Sequence, residues 1–293
     1  MSEAEPAKTA TRTTIAKEIR TTTAKEIRSI AAFDMDETIL RFDPLSAIFS
    51  LRNSSPTLGK YTMKDIAVFG DFLWREYQDI FNEGVIRVFE LLRENRGIVD
   101  HICIYSNNNS RVLCEIVKYA INKFIGKGVN VIDAVYYNSK EYRTNPSKSR
   151  KDLYGAIEYT YPGVVINKTD PIILFMDDDE KHVMHRQPGV ISKVISPPYK
   201  YFQDPRKLVE FVCKYDKLPD SYINDYTTQI TSFVDCDDLE NSKTPEHFDS
   251  TLSPDYYPGI EKAAQEFIDK IRSSTGGRRK TRKNRGRKLS RKH

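Results

Sequence analysis

Between residues 29 and 213, short apolar runs alternate with longer stretches whose apolar positions recur at helical spacing. Short apolar runs are typical of buried strands, whereas a period of about 3.6 residues is typical of helices that cover a sheet. The predicted strands are the run from Ser29, then Val99–Tyr105, Val129–Tyr137, Pro171–Met176 and Val190–Ile195. The predicted helices are Asp71–Phe81, Glu83–Glu94, Arg111–Phe124, Arg150–Tyr159 and Pro205–Lys214. This alternation indicates βαβ units and predicts a three-layer, Rossmann-like α/β sandwich around a mostly parallel sheet.

The remaining segments do not share this alternation. Residues 1–28 are a polar lead-in with an eight-residue duplication, TTIAKEIR followed by TTTAKEIR, which we expect to be helical or disordered. Residues 214–275 are acidic and rich in tyrosine, and contain one predicted helix at Ile260–Arg272. Residues 276–293 begin with two glycines and are strongly basic, so we expect a disordered tail. The chain is therefore expected to hold one folded domain, residues 29–213, with appendages.

The first predicted strand ends in a group of polar residues. Asp34, Asp36 and Thr38 follow its apolar run, and open α/β sheets bind their ligands at this carboxyl edge. In an extended backbone, side chains two residues apart point the same way, so Asp34 and Asp36 are expected to face one pocket. Two carboxylates this close repel each other, and a divalent cation relieves the repulsion. An aspartate held in this way can attack a phosphoryl group while the second acid transfers protons.

Two further predicted strands also end in residues that suit phosphoryl transfer. Ser106 follows the second predicted strand, and Asp177 with Asp178 follows the fourth. Taken alone, Ser106 is better interpreted as the cap of the next helix, and the acidic pair could belong to a solvated turn. Carboxyl ends of parallel strands meet at one edge of a sheet, so the three strand ends together favour a catalytic edge.

The order of these elements resembles that of the haloacid dehalogenase (HAD) superfamily of phosphotransferases. That superfamily has a DxDx[TV] motif, a strand-terminal Ser or Thr, a Lys and a strand-terminal acidic pair, and all four occur in order between Ala31 and Val212. The strings FDMDETIL, IYSN and FMDDDEKHV look most like the branch of the RNA polymerase II carboxy-terminal-domain phosphatases, the NLI-interacting-factor-like branch. The resemblance implies a HAD-like fold. No large cap domain is expected, because the interval Asn107–Lys148 is too short for one and Arg41–Phe81 would form at most a small lid.

The resemblance implies a role for each matching residue. Asp34 is the expected nucleophile and a Mg²⁺ ligand, and Asp36 is the expected acid and base, whose backbone carbonyl also binds the metal. Asp178 is the expected direct metal ligand, while Asp177 would orient a metal-bound water or a neighbouring side chain. Ser106 is expected to donate a hydrogen bond to a phosphoryl oxygen. Catalysis would therefore require Mg²⁺ and proceed through an aspartyl-phosphate.

The phosphate-binding lysine has two candidates. Lys148 directly precedes Ser149, the predicted N-cap of the next helix, and so would lie where phosphate is favoured. Lys151 lies in the first turn of the same helix, in a KDL string that also resembles the family. We prefer Lys148 as the catalytic lysine. The candidate substrate-binding residues are Thr38, Asn107 and Lys151.

Composition and charge predict the location of the protein and the classes of partner that it binds. Four scattered cysteines without metal-ligand spacing indicate a reduced, intracellular protein, in the cytoplasm or nucleus of the producing or host cell. No apolar run is long enough to span a bilayer, so no membrane partner is expected. Ten Lys or Arg and no acid lie between Arg278 and Lys292, and without them the net charge of +5 becomes −5. This tail predicts binding to nucleic acid or acidic partners, or a nuclear address, and it resembles tails common among proteins of large DNA viruses.

Together these features predict a Mg²⁺-dependent phosphatase, and the branch resemblance favours phosphoserine or phosphothreonine in a protein as its substrate. A phosphatase for nucleic-acid ends is the first alternative, because the basic tail would supply affinity for such substrates. A non-catalytic nucleic-acid-binding protein on a vestigial HAD-like fold is the second. Intact Asp34, Asp36 and Asp178 argue against the second alternative. No feature of the sequence specifies an oligomeric state.

Overall fold

The structure of the protein is a computed structural model that describes residues 25–40, 43–54, 61–143, 147–166, 171–195, 206–233 and 256–289. Its strands are β1 (Glu26–Ile27), β2 (Ser29–Phe33), β3 (His101–Tyr105), β4 (Ala134–Tyr136), β5 (Val165–Ile166), β6 (Ile172–Asp177) and β7 (Val190–Val194). Its α-helices are α1 (Asp43–Ser54), α2 (Ile66–Glu76), α3 (Glu83–Glu94), α4 (Arg111–Ala120), α5 (Arg150–Thr160), α6 (Arg206–Asp216), α7 (Ser221–Phe233) and α8 (Tyr256–Leu289). A π-helical turn (Ile121–Ile125) continues α4, and 3₁₀ turns lie at Gln78–Ile80 and Val183–Arg186.

Five parallel strands form the central sheet in the order β4-β3-β2-β6-β7. The chain moves outward from β2 through β3 and β4 on one side, and through β6 and β7 on the other. Phe33 of β2 pairs with Ile104 of β3 and Met176 of β6, so these three strands reach the same edge. A reversal of direction of this kind leaves a crevice at the carboxyl ends of the strands, which is where open α/β sheets bind ligands.

Alternate residues of the sheet face two apolar clusters, one on each side. Phe33 and Ile104 are buried in a large cluster with residues of α1 to α4 and α6 to α8. Ala32 and Cys103 are buried in a smaller cluster with residues of α5. The two faces follow from the two-residue period of a strand, which sends neighbouring side chains to opposite sides. The structure therefore confirms the predicted three-layer α/β sandwich with a parallel sheet.

Capping side chains set the start of three helices. The Ser149 side chain accepts a hydrogen bond from the Asp152 N–H at 3.2 Å, as the sequence predicts for the start of α5. Asn82 caps α3, which occupies the predicted residues, and Ser110 caps α4. Each cap gives a partner to a backbone N–H that the first helical turn leaves without one. Local sequence therefore positions these helix starts.

The segment between β2 and α3 differs from its prediction. The sequence predicts an irregular stretch followed by a helix at Asp71–Phe81, but the structure has α1 at Asp43–Ser54 and begins α2 five residues earlier, at Ile66. The pattern of α1 is only weakly amphipathic, so local sequence gives little sign of it. Its Leu45 and Ile48 are buried in the same large cluster as the sheet. The described part of this segment thus belongs to the main core and forms no separate cap domain.

Two predictions near the sheet also need correction. The predicted strand Val129–Tyr137 is reduced to Ala134–Tyr136, because the Ile132 N–H donates to the Asn122 side chain at 2.7 Å instead of pairing with a strand. The predicted helical or disordered lead-in contains the short strand β1, which pairs in parallel with β5. Residues 1–24 lie outside the described residues. Strands β1 and β5 are far apart in the sequence, so the local pattern of residues 25–28 gives no sign that they pair.

The C-terminal segments are more ordered than the sequence predicts. The extension contains two described helices, α7 and α8, where one is predicted, and the domain boundary placed at residue 213 falls inside α6. Ile260, Ala264 and Phe267 lie on one face of α8 and are buried in the large cluster, so α8 is part of the main body. Helix α8 is described as far as Leu289, within the segment from residue 276 where the sequence predicts a basic tail. Residues 234–255 and 290–293 lie outside the description. None of the described helices is both long and apolar enough to cross a membrane.

Candidate active site

Asp34 lies directly after β2 at the carboxyl edge of the sheet. Its backbone N–H donates to the Met176 carbonyl at 2.8 Å, which anchors it to the end of β6. The chain then turns sharply, because Glu37 has a left-handed backbone (φ 60°) and the Leu40 N–H donates to the Met35 carbonyl at 3.1 Å. A left-handed φ is costly for a non-glycine residue, so the surrounding structure must hold this turn in place. The turn fixes the acidic motif at the sheet edge.

Three carboxylates meet at this edge. One oxygen each of Asp34, Asp177 and Asp178 lies within 4.8 Å of the others. Burial, followed by the charges of Asp34 and Asp177, raises the pKa of Asp178 to about 7. Burial also raises the pKa of Asp177 to about 6, against the opposing effect of Lys148. Burial of this kind disfavours the ionised carboxylates, and a bound cation would favour them.

Lys148 is the basic residue that the structure brings to the carboxylates. It is fully buried, and its Nζ lies 2.5 Å from Asp34 Oδ1 and 2.5 Å from Asp177 Oδ2. Lys151, the other candidate, is exposed on α5 and has no hydrogen bond or ion pair with any described residue. One lysine beside three carboxylates leaves two negative charges when all are ionised, the charge that a divalent cation balances. An all-oxygen ligand set of this kind suits a hard cation such as Mg²⁺.

The two acids of the pair differ in how many donors already surround them. Asp177 Oδ2 accepts a hydrogen bond from Lys148 Nζ, and its Oδ1 accepts one from the Asp179 N–H at 2.9 Å. Asp178 Oδ1 accepts a hydrogen bond from Thr38 Oγ1 at 3.4 Å. Asp178 therefore has the greater capacity to bind a metal, and its role as the direct metal ligand stays a prediction. Thr38, a predicted substrate-binding residue, is fully buried and contacts Asp178.

Asp36 does not join this group of carboxylates. Its Oδ2 accepts a hydrogen bond from Asn108 Nδ2 at 3.3 Å, on the turn after β3. The chain leaves the extended conformation at Met35, so strand alternation does not decide where the Asp36 side chain lies, and its position in one pocket with Asp34 stays a prediction. Among the described residues, the acids that approach Asp34 come from the end of β6 instead.

Ser106 is fully buried one residue beyond β3. Its N–H donates to the Tyr136 carbonyl at 2.9 Å, and its Oγ accepts from the Asn108 N–H at 3.0 Å. Ser110 caps α4, so the interpretation of Ser106 as that cap is wrong. The strand register places Ser106 at the same sheet edge as Asp34.

A buried arginine that no sequence motif marks supports the turn after β3. Arg143 donates from Nη2 to the Ser106 carbonyl and from Nη1 to Asn107 Oδ1. Its guanidinium carbon lies 4.4 Å from the centroid of the Tyr105 ring. Asn107, a predicted substrate-binding residue, is thereby held by the protein. The guanidinium therefore fixes the backbone of Ser106 and the side chain of Asn107.

His182 lies between the same turn and Lys148. Its Nδ1 accepts a hydrogen bond from the Lys148 N–H at 3.2 Å, and its Nε2 lies 3.3 Å from Asn107 Nδ2 and 3.7 Å from Asp177 Oδ1. Burial and Lys148 lower the pKa of His182 to about 4, so the ring is neutral at neutral pH. Because Nδ1 accepts, the proton of the neutral ring is on Nε2, which can donate toward Asp177 Oδ1 and cannot accept from Asn107 Nδ2. In the sequence, only its position after an acidic run marks this residue.

Comparisons with known proteins do not assign the chain to a family. No protein-family model matches the chain, and no curated protein matches it. Among solved structures, the magnesium-bound HAD-hydrolase YfnB from Bacillus subtilis matches with 14% identity and a TM-score of 0.30, over 62% of this chain and 91% of that chain. A TM-score this low carries no argument about the site.

Proposed function

We propose that the protein is a Mg²⁺-dependent phosphatase that hydrolyses phosphomonoesters through an aspartyl-phosphate. The observation that carries the proposal is the 2.5 Å contact between Lys148 Nζ and Asp34 Oδ1, within a cluster of three carboxylates. A phosphoryl group transferred to Asp34 would lie beside a fixed, buried cation. Preorganised positive charge of this kind stabilises the negative charge that is spread over the transferring oxygens.

Asp34 and Asp36 would divide the chemistry between them. An Asp34 oxygen would form a bond to phosphorus as the bond from phosphorus to the leaving oxygen breaks, and the Asp36 carboxyl would donate a proton to that oxygen. Water would then attack phosphorus and give a proton to the Asp36 carboxylate. The bond between phosphorus and Asp34 would break and release phosphate. The hydrogen bond from Asn108 would hold Asp36 in place for both proton transfers.

Asp34 and Asp178 would hold the Mg²⁺, because Asp177 already accepts hydrogen bonds at both oxygens. When bound, the ion would neutralise charge on the phosphoryl oxygens and orient them. Asp177 would keep Lys148 directed at Asp34, and Ser106 at the neighbouring strand end would donate to a phosphoryl oxygen. These assignments use the residues that the structure brings together at one edge.

We further propose phosphoserine or phosphothreonine in a protein as the substrate. The absence of a separate cap domain from the described part of the segment between β2 and α3 supports this, because an uncapped edge admits macromolecular substrates. The branch resemblance of the motifs supports it as well. A vestigial fold is disfavoured, because buried carboxylates that repel one another reduce stability and would not be needed without function.

The direct test is turnover of a small aryl phosphate with Mg²⁺ and with EDTA. We expect Asp34→Asn to reduce turnover by about 1,000-fold or more, because the amide is a poor nucleophile. Its melting temperature without metal should stay close to that of the wild type, because the lost partner of Lys148 is offset by the removal of one of three repelling charges. Asp225→Asn makes the same chemical change at an exposed position of α7 and should leave turnover unchanged. Wild-type activity in Asp34→Asn, or full activity in EDTA, would contradict the mechanism.

A further inference from the structure

A cavity of about 520 Å³ lies beside the proposed catalytic residues. It is bordered by α1, by Tyr61, by the turn after β3 and by the first turn of α4. Asn108 belongs to its lining and also donates a hydrogen bond to Asp36, the proposed acid for the leaving group. The cavity therefore begins where a leaving group would separate from phosphorus. Its volume is in the range that holds a side chain or a small organic group.

The wall of the cavity opposite α4 is fixed in place. Phe49 and Tyr61 line it, with ring centroids 4.9 Å apart, and Tyr61 also contacts the Phe69 ring at 4.6 Å. The Tyr61 hydroxyl donates to Asp216 Oδ2 at 3.0 Å, which ties the wall to α6. A preformed wall of this kind can distinguish ligands without the cost of ordering itself first.

Arg111 is the one charged side chain among the described residues that line the cavity. It is exposed, and it has no hydrogen bond or ion pair with any residue that the structure describes. It is the first residue of α4, and the first turn of that helix contains no acid. A cation at this end is disfavoured by the helix dipole, which is itself positive there. Arg111 and the helix end thus present positive charge to the cavity with no acidic residue of the cavity wall to balance it.

We propose that this cavity selects substrates that carry a second acidic group next to the phosphorylated residue, and that Arg111 binds that group. The inference rests on the proposed phosphatase function and specifies its substrate class. In a phosphoprotein, the second group would be the carboxylate of a neighbouring Asp or Glu, or a second phosphate. Because the pair is solvent-exposed, the expected preference for an acidic neighbour is about three- to tenfold in kcat/KM.

The test compares two phosphoserine peptides that differ only in having Glu or Gln beside the phosphoserine. The wild-type protein should prefer the Glu peptide, and Arg111→Gln should hydrolyse both equally. Arg111→Glu should prefer a peptide with Lys beside the phosphoserine. A reversed preference of this kind cannot result from damage to the fold. For each protein the measured quantity is the ratio of kcat/KM for the Glu peptide to that for the Gln peptide, because this ratio cancels any change that affects both peptides alike. Lys262→Gln removes one charge from an exposed site on α8, away from the cavity, and should keep the wild-type preference.

The outcomes separate this inference from the proposed function. If the aryl phosphate is hydrolysed but the wild-type protein treats the Glu and Gln peptides alike, the cavity inference is overturned and the phosphatase stands. A preference that persists in Arg111→Gln also overturns it. If the wild-type protein hydrolyses neither the peptides nor the aryl phosphate with Mg²⁺, both are overturned. If the preference for the Glu peptide falls as ionic strength rises, this result supports an ion pair between Arg111 and the second acidic group, since salt screens an exposed pair.

Discussion

Both ends of the central sheet carry aspartates, but the groups that surround these aspartates differ between the two ends. At the amino end, Asp100 accepts hydrogen bonds from the N–H groups of Arg28 and Ser29 at 2.8 and 3.1 Å. Asp133 accepts one from the Ile102 N–H at 2.8 Å and is paired with Arg96. Each carboxylate there has donors of its own. Such satisfied groups stabilise the fold and leave little capacity for a ligand.

At the carboxyl end, by contrast, the carboxylates face one another. Asp34 and Asp177 share the single ammonium group of Lys148, Asp178 lies beside them, and the pKa values of Asp177 and Asp178 are raised. Unbalanced groups of this kind are typical of sites that bind or react. The difference indicates that substitutions at the amino end should change mainly stability, whereas those at the carboxyl end should change mainly activity.

The largest effect is expected for Lys148→Met at the carboxyl end. Loss of the buried cation should reduce turnover by about 100- to 1,000-fold, because the phosphoryl group loses its fixed positive charge. It should also reduce the free energy of unfolding by about 3–5 kcal/mol, because two buried carboxylates lose their partner. Lys151→Met, the same change on the exposed surface of α5, should alter both by little. Steady-state kinetics and urea unfolding measure the two effects, and greater loss in Lys151→Met would reverse the lysine assignment.

At the amino end, Asp100→Ala should act on stability alone. Its loss deprives two backbone N–H groups and the Ser29 hydroxyl of their acceptor, at a cost of about 2–4 kcal/mol in unfolding free energy. Turnover per folded molecule should stay within about twofold of wild type. Asp225→Ala serves as the exposed control. If Asp100→Ala greatly reduced turnover under conditions where the variant is fully folded, the two ends of the sheet would not differ in the way we propose.

His101 should make the amino end sensitive to acid. Burial lowers its pKa from 6.5 to about 4, with Asp133 opposing the shift, so the folded protein holds the neutral ring. Protonation therefore favours the unfolded chain: the stability is complete above pH 6.5 and declines as the pH falls from 6.5 to 4, by up to about 3 kcal/mol. Urea unfolding in EDTA across this range, compared with His101→Gln, isolates the effect. A constant difference between the two proteins would show that His101 does not contribute.

A smaller effect should rank the two acids that follow Met176. Asp178→Ala should raise the half-saturating Mg²⁺ concentration about tenfold or more, and Asp177→Ala should raise it less, because Asp177 is already occupied by Lys148 and the Asp179 N–H. Asp177→Ala should instead lower thermal stability more, since Lys148 loses a partner. Mg²⁺ titrations of activity and of melting temperature measure both. The reverse order would exchange the roles of the two acids.

The sequence by itself determined the elements whose signals are local. The strand before Asp34, helix Glu83–Glu94 and the Ser149 cap follow from periodicity and capping chemistry within a few residues. The convergence of three strand ends also follows, because a parallel sheet brings all its carboxyl ends to one edge. The order of the polar motifs was therefore enough to predict the sheet and its polar edge.

Only the tertiary structure decided which side chains meet at that edge. Lys148 and Lys151 are three residues apart, yet Lys148, which precedes α5, is buried beside Asp34 and Asp177, whereas Lys151 is exposed on the first turn of α5. Arg143 and His182 join the site through contacts with residues 36 and 34 positions away in the chain, which no local pattern encodes. The first part of helix α8 likewise joins the main core through Ile260, Ala264 and Phe267, a contact that the acidic composition of this segment does not predict. Such contacts depend on long-range packing, whereas the periodic signals of strands and helices are properties of the chain alone.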